Sequence, residues 1–468
     1  MDQGFSRRKF LVLGLAPFSN RGDLLQYVVS LELCMREFGL DNITSIGPIQ
    51  GNEELFTDSL SFGALRGAVS FKEGLSEVFS IPYLFEKLVP NYQRFLSVLK
   101  ADVNGGENPV SSPHVKTGFS NAIYHVLWSL KYEHNVNHAL IEYLWPAMAR
   151  SWFGMIADAG VISGHTIERE GFYNYITNYI LTKRIVKKGV GTFPISVSAL
   201  GLKARGNDIG FLRLGLKRLD FIFARGPYSE RTFTTLLGCK GKTFRALDSG
   251  FGLRLIYERP KWNSGIRNLR IVIVPSYMHA YMHEQYRRGL TRLVSWVFSK
   301  FDCEFYLMPF CIDASNETKD VRAVNDILSA SKGRLTQELK SIKVVDTAHM
   351  SIHEIYEFFG SVDVVVTSRM HAGIMAMSAG TPALFLVPKD DTKILDVLAS
   401  LGLDTRQFLI DTFNPKEMKD DNVQQKFKSL VDNISTVKQT IDRRIEEALP
   451  SVKLPLSYAK NLIESTKR

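Results

Sequence analysis

The chain has 468 residues, a length that fits two or three domains. Hydrophobic residues make up 45% and charged residues 23% of the composition, which excludes a disordered chain, a collagen-like repeat and a small disulfide-stapled protein. No window holds about 18 uninterrupted apolar residues, so we expect no membrane span. Four scattered cysteines without a C-x-x-C pair favour a reducing, cytoplasmic compartment over a zinc or disulfide framework.

The net charge of +10 is concentrated in the middle of the chain. Residues 183–300 carry 23 basic and 6 acidic side chains, a local charge of +17 that leaves −7 for the remainder. Such a positive field concentrates anionic ligands. Phosphorylated metabolites, nucleic acid and an anionic membrane surface all fit, and so does a solvated surface rich in lysine and arginine.

The first residues resemble an export signal in one respect. Ser6-Arg7-Arg8-Lys9 looks like a twin-arginine motif, but the apolar run that follows is short and no A-x-A cleavage site comes after it. We therefore interpret Phe10–Leu15 as the first buried strand of a parallel sheet.

Apolar strands then alternate with amphipathic helices, a pattern typical of doubly wound α/β domains. Strands are predicted in the first half at 42–46, 158–164, 192–198 and 221–224. Helices are predicted at 24–38, in a long insertion near 85–150, at 171–188 and at 227–237, the last with proline at its first position.

The second half starts after a polar stretch at 259–265, which we interpret as a linker. Strands are predicted at 269–274, 304–308, 342–345, 362–367 and 383–386, each next to a helix, and the C-terminal residues form a helical extension. The sequence therefore predicts two Rossmann-like domains, 1–258 and 266–468. They face each other across a cleft, with ligands near the carboxyl ends of the strands.

The segment 362–382 holds the most informative pattern. A β-branched strand runs into Ser368, a good N-cap residue, and a helix of small residues follows and ends at Gly-Thr-Pro. Arg369 and His371 then lie at a helix N-terminus, where free backbone N–H groups favour an anion. Arg369 adds a bidentate fork for carboxylate or phosphate, and His371 adds a group that exchanges protons near neutral pH.

A structural role is the alternative for this pair: Arg369 would tie down the helix and His371 would pack as a satisfied polar residue. The whole pattern is more specific than the pair, and it resembles the polysaccharide pyruvyl transferase family, where S-R-[hydrophobic]-H-A follows a strand and G-T-P ends the helix. Further similarities to the family lie at 18–23, 158–164, 223–231, Asp248 and 391–393.

The resemblance implies transfer of pyruvate from phosphoenolpyruvate to a saccharide, giving a pyruvate ketal in polysaccharide or glycoconjugate biosynthesis, on a GT-B-like fold. Phosphoenolpyruvate carries a carboxylate and a phosphate, and Arg225 and Arg369 would anchor them from opposite halves. The helix N-terminus after Ser368 would receive one anion, and Met370 would line the pocket. His371 is the candidate general acid and base. No cofactor is implied, since phosphoenolpyruvate is a substrate.

The acceptor side departs from the pattern of the family at two places. His165 replaces the second glycine of its Gly-Gly turn, and 198–201 replaces its s-i-G-P segment. Asn20, Gly22 and Asp23 would contact the acceptor or the cleft, or would simply open the first helix as turn and cap residues.

His279 and His283 are spaced i, i+4 and would share one helix face. Zinc would need further ligands and no H-E-x-x-H arrangement is present, so we predict no metal. Both histidines would instead face the cleft and touch donor or acceptor.

Two other functions fit parts of this pattern. A nucleotide-sugar-dependent GT-B glycosyltransferase has the same architecture, but the helix after His371 lacks the acidic residue that holds the ribose. A non-catalytic protein that binds anions or saccharides is the second alternative. Nucleic acid is disfavoured, because the basic residues are scattered among α/β elements. The expected partners are phosphoenolpyruvate and a saccharide or lipid-linked saccharide, which leaves peripheral membrane contact open; acceptor sugar and oligomeric state are not indicated.

Overall fold

The computed structural model describes two parallel sheets and the helices around them. The described residues are 10–13, 21–39, 43–46, 157–164, 166–167, 186–197, 219–261, 268–276, 284–311, 319–332, 342–412 and 420–465, with four single positions at 213, 216, 414 and 416. The helical insertion predicted near 85–150 lies outside these residues.

The first half contributes eight strands to the described part of the chain. They are β1 (Phe10–Leu13), β2 (Ile43–Ile46), β3 (Ala157–Ile162), β4 (Thr166–Ile167), β5 (Val186–Thr192), β6 (Ser196–Val197), β7 (Ile222–Ala224) and β8 (Thr243–Arg245). The main sheet has the order β2-β1-β3-β5 and is parallel throughout. Parallel bridges from Gly191 to Phe221 and from Ile195 to Ala224 place β7 at the edge of this sheet, where it pairs with β8.

The position of β5 differs from the prediction: the strand runs over Val186–Thr192, whereas the sequence predicted a helix up to 188 and a strand only from 192. Two glycines give the physical reason. A Cβ on Gly191 would overlap the Phe221 ring, and a Cβ on Gly189 would lie 2.8 Å from Leu462 Cδ1. The Phe221 and Leu462 side chains pack directly against the backbone at these glycines. This tertiary packing favours the strand over the local helical pattern.

The second half forms a sheet of six parallel strands. They are β9 (Leu269–Val274), β10 (Cys303–Leu307), β11 (Ile342–Val344), β12 (Val364–Thr367), β13 (Ala383–Val387) and β14 (Leu409–Asp411). The order is β11-β10-β9-β12-β13-β14, which is 3-2-1-4-5-6 when counted from its first strand. This is the Rossmann order, and its direction reverses between β9 and β12. Ligands are therefore expected where the carboxyl ends of those two strands meet.

Helices cover both sheets. They are α1 (Arg21–Phe38), α2 (Pro227–Arg231), α3 (Leu253–Ile256), α4 (Glu284–Lys300), α5 (Lys319–Lys332), α6 (Ile352–Gly360), α7 (Met370–Ser378), α8 (Thr392–Ser400), α9 (Thr405–Phe408), α10 (Asp420–Asp432), α11 (Ile434–Ala448) and α12 (Leu454–Glu464). A π-helical turn, Thr232–Leu236, continues α2, and a 3-10 turn, Ser249–Gly252, precedes α3.

Helix α7 is buried along its whole length and links the two halves. A Cβ on Gly373 would overlap the Phe385 ring, so the small residue lets α7 lie close to β13. On its other side α7 contacts α1 and the 3-10 turn of the first half. One apolar core therefore runs continuously from the first sheet to one face of the second, and a separate core covers the opposite face of the second sheet.

The last helix returns to the first sheet. Helix α12 packs on β3 and β5. Its Tyr458 ring lies 4.4 Å from the Phe244 ring centroid and 5.4 Å from that of Phe223. The C-terminal extension thus completes the covering of the first sheet.

Candidate functional site

The turn between β12 and α7 lies where the second sheet reverses its strand order. Thr367 Oγ1 accepts a hydrogen bond from Arg369 N at 2.8 Å. Helix α7 begins at Met370, with Arg369 as its N-cap residue and no side-chain cap. The Ser368 hydroxyl lies 2.6 Å from the hydroxyl of Tyr286 on α4. The prediction that Ser368 caps the helix is therefore wrong, because the buried tyrosine draws its side chain away.

The Arg369 guanidinium is held by a carboxylate from a neighbouring helix. Its Nε donates to Asp320 Oδ2 at 3.0 Å and its Nη2 donates to Oδ1 at 2.5 Å. The Arg369 side chain is 22% exposed, whereas that of Asp320 is fully buried. This two-point pairing fixes the plane of the guanidinium and places a partly exposed cation at the N-terminus of α7.

His371 lies between the two halves of the chain. Its side chain is buried, and within the described residues its Nε2 has no hydrogen-bond partner. Gly22 of α1 approaches it closely, since a Cβ on Gly22 would lie 2.7 Å from His371 Cγ. Burial lowers the pKa of His371 well below its ordinary value, and the positive charges of Arg225, Lys393 and Arg369 lower it further. The imidazole is therefore neutral at pH 7.

Arg225 reaches the same place from the first half. It follows β7 and is completely buried. Its Nε pairs with Asp248, and its Nη1 donates to Ser196 Oγ at 2.8 Å and lies 3.3 Å from Met370 Sδ. Arg225 is thus in direct contact with the first residue of α7, and the two halves meet at this point.

Helix α8 holds the Arg225 turn against the second half. The Asp396 carboxylate accepts hydrogen bonds from Tyr228 N at 2.8 Å and from Ser229 N and Oγ at 3.1 and 2.5 Å. Thr392 and Ser400 donate to backbone carbonyls of the first half at 3.0 and 2.9 Å. These contacts fix the position of Arg225 relative to α7.

The positive charges of Arg225, Arg369 and Lys393 therefore act on one neutral imidazole at a helix N-terminus, with the two arginines paired to Asp248 and Asp320. Such an arrangement suits a small ligand with more than one negative group. The sequence model of the polysaccharide pyruvyl transferase family matches residues 91–390, well over half of the chain. The chain belongs to the polysaccharide pyruvyl transferase family. The matched span includes Arg225, Arg369 and His371, the residues that the fold brings together. A comparison with curated proteins found no match.

A solved structure shares the architecture of this pyruvyl transferase family member. The S. aureus MnaA–UDP co-structure is similar with a TM-score of 0.52 and 11% identity, covering 96% of this chain and 97% of that chain. A UDP-GlcNAc 2-epimerase from Neisseria meningitidis bound to UDP-GlcNAc has a TM-score of 0.48 and 11% identity, covering 96% of this chain and 98% of that chain. The predicted fold, a GT-B-like arrangement of Rossmann-like sheets, is confirmed.

The predicted donor residues of the family lie together in the structure. Arg225, Arg369, Met370 and His371 converge, and Ser368 lies in the same turn with its hydroxyl on Tyr286. The structure gives the positions of these residues, and their roles remain predictions.

The predicted acceptor residues are described only in part. Gly22 lies against His371, and Asp23 lies in α1. Asn20, His165, His279 and His283 lie outside the described residues, so their roles remain predictions.

Two searches of the described residues bear on metals and membranes. No group of three or more His, Cys, Asp or Glu in this part of the chain is placed to hold a metal ion. None of the helices described is both long and apolar enough to cross a membrane.

Sequence reasoning missed the acidic partners of the site. Asp320 is the second residue of α5, where an acidic residue is common because it favours the helix dipole. Asp396 lies inside α8, and the sequence pattern of this helix indicates only packing against the rest of the protein. Neither position differs locally from an ordinary helix residue, so only the tertiary contacts with Arg369 and Ser229 reveal them.

Proposed function

We propose that this protein transfers pyruvate from phosphoenolpyruvate to two hydroxyls of a saccharide, giving a pyruvate ketal and phosphate. The observation that carries the proposal is the convergence of Arg225, Arg369 and the α7 N-terminus on a buried His371. Lys393 adds a third positive charge that acts on the imidazole. A donor with both a carboxylate and a phosphate matches this distribution of charge.

The two arginines differ in how the donor can reach them. Arg369 is partly exposed, whereas Arg225 is enclosed, in contact with Met370. A donor that touches both has to open the contact between Arg225 and Met370. We therefore expect Arg369 to bind the donor first and a small separation of the two halves to follow, through a hinge motion that opens the contact between Arg225 and Met370.

The chemistry requires protons to move in both directions. The C3 methylene of phosphoenolpyruvate takes up a proton, and the first acceptor hydroxyl attacks the cation-like C2. The bond from C2 to the phosphate oxygen then breaks, and the second hydroxyl closes the ketal at C2. The two hydroxyl protons are balanced by the new methyl hydrogen and by the proton on the released phosphate.

His371 is the group proposed to carry these protons. Its Nε2 has no hydrogen-bond partner among the described residues, and it lies beside both arginines. In the free protein burial keeps the pKa of His371 low, and the nearby cations lower it further. The negative charges of a bound donor oppose the contribution of those cations, so donor binding favours the imidazolium that protonates C3.

A nucleotide-sugar donor fits the site less well. Helix α7, Met370–Ser378, contains no Asp or Glu that could hold a ribose. We further propose a saccharide or lipid-linked saccharide acceptor and a cytoplasmic location, with peripheral membrane contact if the acceptor is lipid-linked. The four cysteines, all free thiols, fit a reducing compartment.

The test is release of phosphate from phosphoenolpyruvate against a panel of galactosides, mannosides and hexosamine carriers, with mass spectrometry of the product. His371→Ala is compared with His349→Ala, since His349 is an exposed histidine on a different turn. Acceptor-dependent phosphate release and a ketal product, lost only in the His371 variant, support the proposal. Nucleotide release from a nucleotide sugar without use of phosphoenolpyruvate would favour the glycosyltransferase alternative.

A further inference from the structure

Asp320 binds Arg369 and the backbone after β10 with one carboxylate. Besides the two contacts from Arg369, Oδ2 accepts Cys311 N at 2.8 Å and Phe310 N at 3.4 Å. The side chain is completely buried. A buried carboxylate with this many donors has a single orientation, and so does the guanidinium paired with it.

This pairing uses one particular edge of the guanidinium. A guanidinium offers two edges for two-point binding, one formed by Nε and one terminal nitrogen and one formed by both terminal nitrogens. Asp320 binds the Nε and Nη2 edge. A carboxylate or phosphate that binds Arg369 at two points while Asp320 stays in place therefore has to use the Nη1 and Nη2 edge.

We propose that Asp320 is a positioning residue for the donor: by holding the Nε edge of Arg369, it directs the opposite edge at the donor's anionic group. The inference rests on the proposed function, because it names a role in binding the same donor. Asp320 touches neither donor nor acceptor in this scheme and acts only through Arg369. A residue that merely braced the β12–α7 turn against α5 would affect stability without a specific effect on the donor.

The first test is Asp320→Asn with steady-state kinetics in phosphoenolpyruvate. We expect the KM for phosphoenolpyruvate to rise about tenfold or more, as is typical when a charge-assisted contact is lost, with kcat changed by less than about threefold. The matched control is Asp411→Asn. Asp411 is also buried, lies at the end of β14 in the second sheet, and accepts Lys389 N at 3.2 Å. Its variant should keep the wild-type KM.

The second test repeats the change in an Arg369→Gln background. There Asp320→Asn should cause no rise in the KM for phosphoenolpyruvate, because the residue through which it acts is absent. Arg369→Gln alone leaves the buried Asp320 carboxylate unpaired, and the double variant removes that carboxylate, so the double variant should fold even if Arg369→Gln is unstable. The same rise in KM in both backgrounds would overturn the inference.

Direct binding separates the two proposals. Calorimetry with phosphoenolpyruvate on the wild-type protein should show binding, and the Asp320→Asn variant should bind about tenfold more weakly. A wild-type protein that neither binds nor consumes phosphoenolpyruvate refutes the proposed function and the inference together. A wild-type protein that turns it over, with Asp320→Asn showing an unchanged KM and affinity, refutes the role of Asp320 alone.

Discussion

His371 can occupy its position only because residue 22 is glycine and has no side chain. In the structure a Cβ on Gly22 would lie 2.7 Å from His371 Cγ and 2.8 Å from His371 Cβ, whereas ordinary contact begins at 3.4 Å. The same Cβ would overlap His371 Nδ1, the nearest ring atom, so the imidazole has to retreat by about 1 Å in Gly22→Ala. Gly22 lies in α1, so alanine suits the helical backbone and adds about 1 kcal/mol of helix propensity, which partly offsets an overpacking cost of about 1–3 kcal/mol.

A shift of this size should act on catalysis more than on folding. A misplacement of about 1 Å at a reacting group can cost about 100-fold in rate, so we expect kcat for phosphate release to fall by about 10-fold to 100-fold. The control is Gly252→Ala, whose Cβ would lie 2.7 Å from Val29 Cγ1 in the α1 packing, away from His371. It should lose similar stability in thermal unfolding and keep its turnover. A folded Gly22→Ala protein with turnover like that of the wild type would refute the reasoning.

Further predictions concern charge and protonation. His371→Ala should fold and lose about 10²–10⁴-fold in turnover, as general acid–base groups do; near-normal turnover would remove His371 from the mechanism. Since burial and nearby cations lower the pKa of His371 in the folded protein, the unfolded chain binds a proton below about pH 6.5 that the folded protein does not. The free energy of unfolding should therefore fall as the pH drops through this range, and His371→Gln should weaken that dependence in denaturant titrations. Arg369→Lys should raise the KM for phosphoenolpyruvate, because a point charge does not replace a planar fork; an unchanged KM would count against this. A chelator should leave activity intact, and loss restored by a divalent ion would overturn the prediction of no metal.

Local patterns predicted the second sheet well, because its strands are short runs of β-branched and aromatic residues with helices between them. Strand β9 has the predicted bounds, and β12 and β13 differ from them by a residue or two. Strands β4, β8 and β14 were missed and have only two or three residues each, too few to show periodicity. Their pairing with β6, β7 and β13 supplies the stability that their own sequences do not indicate.

The residues of the site were predictable where they belong to a motif, whereas their acidic partners and the contacts between motifs were not. Arg369 and His371 belong to one turn, so a motif can identify them. Asp320 lies 49 residues from Arg369, and Gly22 is separated from His371 by most of the chain. Contacts between residues this far apart in the chain depend on the strand order of the two sheets, and local sequence patterns do not determine that order.

The packing of α12 on the first sheet affects how the two halves behave when they are expressed as separate fragments. Tyr458 of α12 covers Phe223 and Phe244 of the first half. An amino-terminal fragment that stops in the linker would present this aromatic face to water, and we expect it to aggregate unless the missing helix is supplied in trans. The first half thus depends on the C-terminal helix to cover its apolar surface.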